Sequence, residues 1–175
     1  TMGDLLHDLN RNAEAYAAYD SSLVYNPENI LCLNNYAYSL SLDARDLDKA
    51  ADMARRAVQT EPQNSTYLDT YAWILYKQQN YKKAKEYIDR ALSLTEERGE
   101  EFTVDYYIHA GDIYFWNQLP EKALEFVKEV TICKFCEKNL TENGKWYATL
   151  PKAQINQLMQ DEKFRKDWDP MYGDR

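Results

Sequence analysis

The sequence predicts an all-α chain, an α-α superhelix of about four helical hairpins closed by C-terminal capping helices. Three observations carry this. Small residues recur at Gly3, Ala37, Ala72 and Gly111, in steps of 34, 35 and 39. Alanines recur at Ala15, Ala50, Ala84 and Ala123, in steps of 35, 34 and 39. Glycine and proline number only five each in 175 residues, too few for a turn-rich β architecture. Two registers kept together over four copies are an internal repeat, which is to be read before any single element.

In each copy the alanine follows the small residue at an interval of 12, or of 13 in the second. Two antiparallel helices cross closely only where a small side chain sits at the crossing. A small residue and an alanine kept at this interval can face each other at such a crossing; the resemblance given below implies that the first lies in a helix A and the second in a helix B. Pro27 and Pro62 lack an N–H and end helix B. Tyr16, Tyr19, Leu23, Val58, Ile88 and Leu92 are expected to bury between hairpins, because one hairpin cannot bury its apolar face alone.

The pattern resembles the tetratricopeptide repeat, a degenerate helix–turn–helix unit of roughly 34 residues. The first copy supplies Ala15, Tyr19, Ser22 and Pro27, and the second Ala37, Ala50, Ala57 and Pro62. The third supplies Tyr71, Ala72, Ala84 and Ala91 without a proline; the fourth supplies Gly111, Tyr114 and Ala123, with Val130 where a small residue is usual. The expected organisation is 1–29, an N-terminally truncated first repeat; 30–64; 65–102, with an extended junction; 103–137; and 138–175, a cap or tail. The short first helix A reads as a cut from a longer array and predicts a frayed edge. At the third-to-fourth junction, Thr95 to Glu101 reads as a longer helix B end or a charged loop. In the tail, Asn143-Gly144 marks a turn and Pro151 can open a helix bearing Ile155, Leu158 and Met159. The tail reads as one or two capping helices or as a docking segment for a neighbouring molecule.

A net charge of −8 and the absence of a basic stripe exclude nucleic acid and anionic lipid as natural partners. The basic group Lys82, Lys83 and Lys85 alternates with acids at helical spacing, as a solvated helix face does. No run of about 18 apolar residues is present, so no membrane insertion is expected. Three cysteines make no disulfide framework.

Cys133 and Cys136 form a C-x-x-C, but zinc needs four ligands and neither His7 nor His109 is spaced to complete them. Two helix-borne thiols account for the pair, with zinc or redox chemistry as the alternative. His109 and Asp112 stand three apart on a helix and can share a face, with no nucleophile placed beside them. No phosphate loop or hydrolase motif occurs, so no cofactor, no metal and no catalysis are expected. Asn64 and Asn139 fit the glycosylation tripeptide, and Asn64 more simply starts a helix.

The resemblance implies a protein or peptide ligand held on the concave face lined by helices A. The positions expected on that face are Asn34, Asn35 and Tyr38; Asp69, Thr70, Trp73, Tyr76 and Lys77; and Ile108, His109, Asp112, Phe115 and Trp116. Of these, Asn34, Asn35, Tyr38, Asp69, Trp73, Tyr76, Lys77, His109, Asp112 and Trp116 are the candidate groove residues. Trp73 and Trp116 either meet a ligand or are buried by the next hairpin or the tail. Chaperone-binding members of the family hold a C-terminal carboxylate between Lys, Asn and Arg side chains. Here Asn35 fits the central Asn, but Asp4, Thr66 and Thr70 replace an Asn, a Lys and an Arg, so that clamp is absent.

The expected function is a non-catalytic scaffold or adaptor. The alternative is an assembly or spacer segment, self-associating or part of a multi-domain enzyme or of a larger bacterial envelope-associated protein. The strings Leu33 to Ala37 and Tyr67 to Trp73 resemble those of bacterial repeat proteins. They leave the compartment open, with the bacterial envelope or periplasm favoured over the cytoplasm if an upstream signal has been removed.

Overall fold

The computed structural model describes residues 1–123, 125 and 126, and every described element is helical. Two compact units divide at residues 98 and 99. Unit 1 holds α1 (Met2–Asp8), α2 (Asn12–Tyr25), α3 (Ile30–Leu42), α4 (Leu47–Thr60), α5 (Ser65–Lys77) and α6 (Tyr81–Glu97). Unit 2 holds α7 (Val104–Trp116), and a further helix starts at Pro120. The Cys133/Cys136 pair, Asn139, Val130 and the expected capping helices lie outside the described residues.

Local chemistry sets the ends. Asn29 and Asn64 cap α3 and α5, their side-chain oxygens accepting from the backbone N–H groups of Cys32 (3.1 Å) and Tyr67 (3.3 Å). The short α1 starts on a capping box between Thr1 and Asp4. Helix α2 stops before Pro27 and α4 before Pro62, at 14 residues each, whereas α6 has no proline after it and runs to 17. Gly99 follows its cap with φ of +64°, so the charged junction is both a longer helix and a loop.

The turn between helices A and B is the same four times. Asn10, Ala44, Gln79 and Gln118 all adopt left-handed backbone, with φ of 57°, 48°, 62° and 61°. Around each, one N–H reaches back by three positions and the next by five, as in Arg11 to Leu6, Arg45 to Leu40, Asn80 to Leu75 and Leu119 to Tyr114. This is a Schellman closure without glycine. Its steps of 34, 35 and 39 are the sequence register again.

Within unit 1 the hairpins α1–α2, α3–α4 and α5–α6 pack in chain order, helix A against helix A and each helix B against the next helix A. Arg56 donates to the Pro27 carbonyl at 2.9 Å and Arg90 to the Pro62 carbonyl at 3.1 Å, so a helix B arginine fastens each proline turn. The core holds Ala15, Ala37, Ala50, Ala72 and Ala84 with no exposed surface, and Tyr16, Tyr19, Val58, Ile88 and Leu92 are buried as expected. One detail differs: Leu23 is only half-buried, being two turns past the crossing. Beside Gly3 lies the ring of Tyr19, and a Cβ there would lie 2.6 Å from Tyr19 Cδ1 and Cζ.

Candidate functional site

Equivalent positions of helices A fall in line across unit 1. Asp4, Tyr38 and Trp73 correspond, as do Asn35 and Thr70, and Asn34 and Asp69, each one repeat from the next. The 3.6-residue period then puts Tyr76 and Lys77 one turn beyond Trp73 on α5.

Exposure divides this set. Asn35, Tyr38 and Lys77 are half-buried and reachable. Asn34, Asp69, Thr70, Trp73 and Tyr76 are buried, between 3% and 5% exposed, which corrects the expectation that Asn34, Asp69, Thr70 and Tyr76 stand free and gives Trp73 the buried alternative. In unit 2, His109 and Asp112 are each 2% exposed and Phe115 is also buried, whereas Ile108 and Trp116 are half-buried. The correction has a simple cause. Large apolar rings leave water wherever neighbours cover them, and small polar groups go with them where hydrogen-bond partners are at hand. Periodicity tells which face a residue occupies, not what lies over it.

The aromatic end of the unit 1 face is built on α5. Trp73 and Tyr76 stack with centroids 4.9 Å apart and planes 21° apart. The Lys77 ammonium lies 4.6 Å from the centre of the Trp73 ring, a cation–π placement that leaves the charge at the rim.

The polar end joins α1, α2 and α3 through Asp4. Its carboxylate accepts from Tyr19 Oη at 2.6 Å and from Asn35 Nδ2 at 3.1 Å. Burial pushes this carboxyl up, but the donors together outweigh it and hold Asp4 below the ordinary aspartate range. The Tyr19 phenol shifts upwards, through burial first and the Asp4 bond second.

Asp4 also fixes the direction of two amides. A carboxylate only accepts, so Asn35 must turn its Nδ2 towards it and its Oδ1 away. Asn34 Nδ2 donates to that oxygen at 3.3 Å, which leaves Asn34 Oδ1 buried and without a hydrogen-bond partner. The residue that fits the family's central Asn therefore spends one of its two amide hydrogens inside the protein. Sequence reasoning missed this pairing, although Asp4 and Asn35 stand almost one repeat apart.

A second cluster closes the turn ends of the first two hairpins. Asp43, at the C-cap of α3, accepts from Asn12 Nδ2 at 2.9 Å and from the Tyr16 hydroxyl, and His7 Nε2 lies 3.7 Å from its other oxygen. Cys32 is buried and reduced, its Sγ 3.9 Å from the Tyr19 carbonyl oxygen. Among the described residues, no group of three or more His, Cys, Asp or Glu side chains is arranged to hold a metal ion. Among the same residues, no helix is long and apolar enough to cross a membrane.

Residues 65–98 match the family model of the tetratricopeptide repeat. The matched span is α5, α6 and the Arg98 cap, the third of the hairpins that share one turn geometry. The chain is a protein of the tetratricopeptide-repeat type. No curated protein matches it. A tetratricopeptide repeat is a module of protein–protein interaction, and its helix A face is where the polar and aromatic groups described above are concentrated.

Proposed function

We propose that this tetratricopeptide chain is a non-catalytic scaffold that holds a protein or peptide across the helix A face of unit 1. The ligand lies over α1, α3 and α5. It meets Asn35 and Tyr38 at one end and the Lys77 rim of the Trp73–Tyr76 stack at the other. Asn34, Asp69, Trp73 and Tyr76 shape the floor from beneath. In unit 2 the equivalent face of α7, proposed as a separate contact surface, presents the half-buried Trp116, with His109 and Asp112 buried.

The observation that supports this reading is the Lys77 ammonium seated on Trp73 at 4.6 Å. The buried aromatic pair holds the Lys77 ammonium from beneath, and that half-buried charge orients what binds. With Asn35 bound to Asp4 and with Thr66 and Thr70 in place of cations, the face is unsuited to a C-terminal carboxylate. The preferred ligand is an internal segment offering apolar groups and an acid to Lys77.

The test is quantitative affinity capture from the source cell with the wild-type chain and with Lys77→Glu combined with Asn35→Ala. The variant should lose a specific partner at least tenfold, roughly 1.4 kcal/mol, with unchanged far-UV helicity. Equal recovery would remove the face from the account. Trp73→Ala is the wrong probe, because truncating a Trp that is 3% exposed costs the fold about 3–5 kcal/mol.

The rival reading, an assembly or spacer segment, makes a different demand on the same experiment. It requires recovery of the chain's own copies or covalent neighbours, insensitive to Lys77.

A further inference from the structure

Six arginines stand among the described residues. Arg11, Arg45, Arg55 and Arg56 each pair with a carboxylate. Arg90 and Arg98 pair with none among those residues, and both reach the same turn. Arg90 donates to the Pro62 carbonyl at 3.1 Å, and Arg98 to that of the next residue, Gln63, at 2.7 Å.

The preceding proline turn shows what this one lacks. There Arg56, the counterpart of Arg90, donates to the Pro27 carbonyl at 2.9 Å and to the Glu28 carboxylate at 2.8 Å. One repeat on, Gln63 replaces Glu28. The 17-residue α6 also brings Arg98 to the turn as its C-cap, a position before which the 14-residue α4 has already ended. A compensated Arg–Glu pair at the first turn thus becomes two uncompensated guanidiniums at the second. Glu61, the acid of that turn, accepts instead from Asn64 Nδ2 at 2.9 Å.

We propose that this turn docks an acidic segment of a partner protein through two of its carboxylates. One takes on Arg90 the place that Glu28 holds on Arg56, and the other meets Arg98. Both arginines are exposed, yet neither is loose. Each is held by a turn carbonyl, and the Arg90 guanidinium also lies 5.5 Å from the centre of the Tyr87 ring. A guanidinium anchored in this way has little freedom left to lose, and its planar fork meets a carboxylate with two parallel N–H bonds. The net charge of −8 does not oppose this locally, because at physiological salt exposed charges more than about 8 Å apart are largely screened. The turn is separate from the ligand face: the 13 residues of α5 put it about 20 Å from Lys77.

The probe is a tetraglutamate peptide blocked at both ends, titrated into the full chain while the arginine Nε–H signals are followed by NMR. Those of Arg90 and Arg98 should move together and saturate, and that of Arg56 should stay in place. Gln63→Glu copies the first turn and leaves both arginines where they are. It should weaken binding about fivefold or more, as should Arg90→Gln combined with Arg98→Gln. Still signals at Arg90 and Arg98, equal shifts at Arg56, or an affinity unchanged by Gln63→Glu overturns the proposal. An equal response to inorganic phosphate would make the turn a general anion site and overturn the acidic segment.

Discussion

The ring of Tyr19 stacks on that of Tyr36, centroids 4.8 Å apart and planes 14° apart, while its hydroxyl donates to Asp4 at 2.6 Å. One side chain on α2 thereby joins α1, α2 and α3. Its edge fills the space left by Gly3, and its hydroxyl hydrogen is committed to Asp4, so Ser39 donates to it in turn. The ring has nowhere to retreat. Gly3→Ala should destabilise the chain by about 1–3 kcal/mol, the range for overpacking a close crossing. Urea unfolding followed by circular dichroism measures it. A loss below about 0.3 kcal/mol would show that the ring moves freely and that the crossing is looser than its geometry.

Ala44 sits in left-handed backbone with φ of 48°, as does its counterpart Gln79 with 62°. An L side chain is strained there by about 1 kcal/mol, and glycine is not. Ala44→Gly should therefore raise stability, by up to about 1 kcal/mol, against the usual sign of that substitution. The same exchange at Ala37, inside α3 and with no exposed surface, should lower it. Two thermal melts compare them, and destabilisation by both would mean that the turn geometry is wrong.

Asp4 gives a pH dependence with a definite sign. Its carboxyl titrates below the ordinary value of 3.8 in the folded chain. A depressed carboxylate contributes stability that is complete above its unfolded pKa and is lost as pH falls through the folded one. The stability gap between wild type and Asp4→Asn should be full above about pH 5 and shrink steadily from about pH 4 downward. A gap that grows in acid would contradict the donor set assigned to Asp4.

Asn29 and Asn64 hold equivalent caps on α3 and α5. Replacing either with Ala should cost about 1 kcal/mol, with Asp or Ser recovering most of it. Chemical denaturation of these variants is sufficient. An Asn64→Ala change without effect would free that residue for another role.

The hairpins were legible in the sequence because their determinants are local and repeated. A small residue at a crossing, an Asn before a helix and a proline after one each act within a turn or two. Asn64 was legible as a cap for this reason, and Pro27 and Pro62 as stops. The left-handed turn was not, because Asn10, Ala44, Gln79 and Gln118 carry no glycine; only their shared register betrays them. The candidate site was legible in position but not in exposure. Trp73 and Lys77 lie on the same part of α5, yet one is buried and the other reachable, a distinction that their shared periodicity does not carry. The Asp4–Asn35 bond is of the same kind, since a relation between side chains almost a repeat apart leaves no mark in either's local sequence.

The most direct test of the central claim is a lysine-acylation footprint of the chain with its captured partner, read by mass spectrometry. Lys77 stands on the proposed ligand face, while Lys82 and Lys83 are exposed on helix B of the same hairpin. Partner binding should slow acylation of Lys77 several-fold and leave Lys82 and Lys83 unchanged. Protection of Lys82 and Lys83 with Lys77 as reactive as before would place the partner on the other side of the repeat and contradict the account.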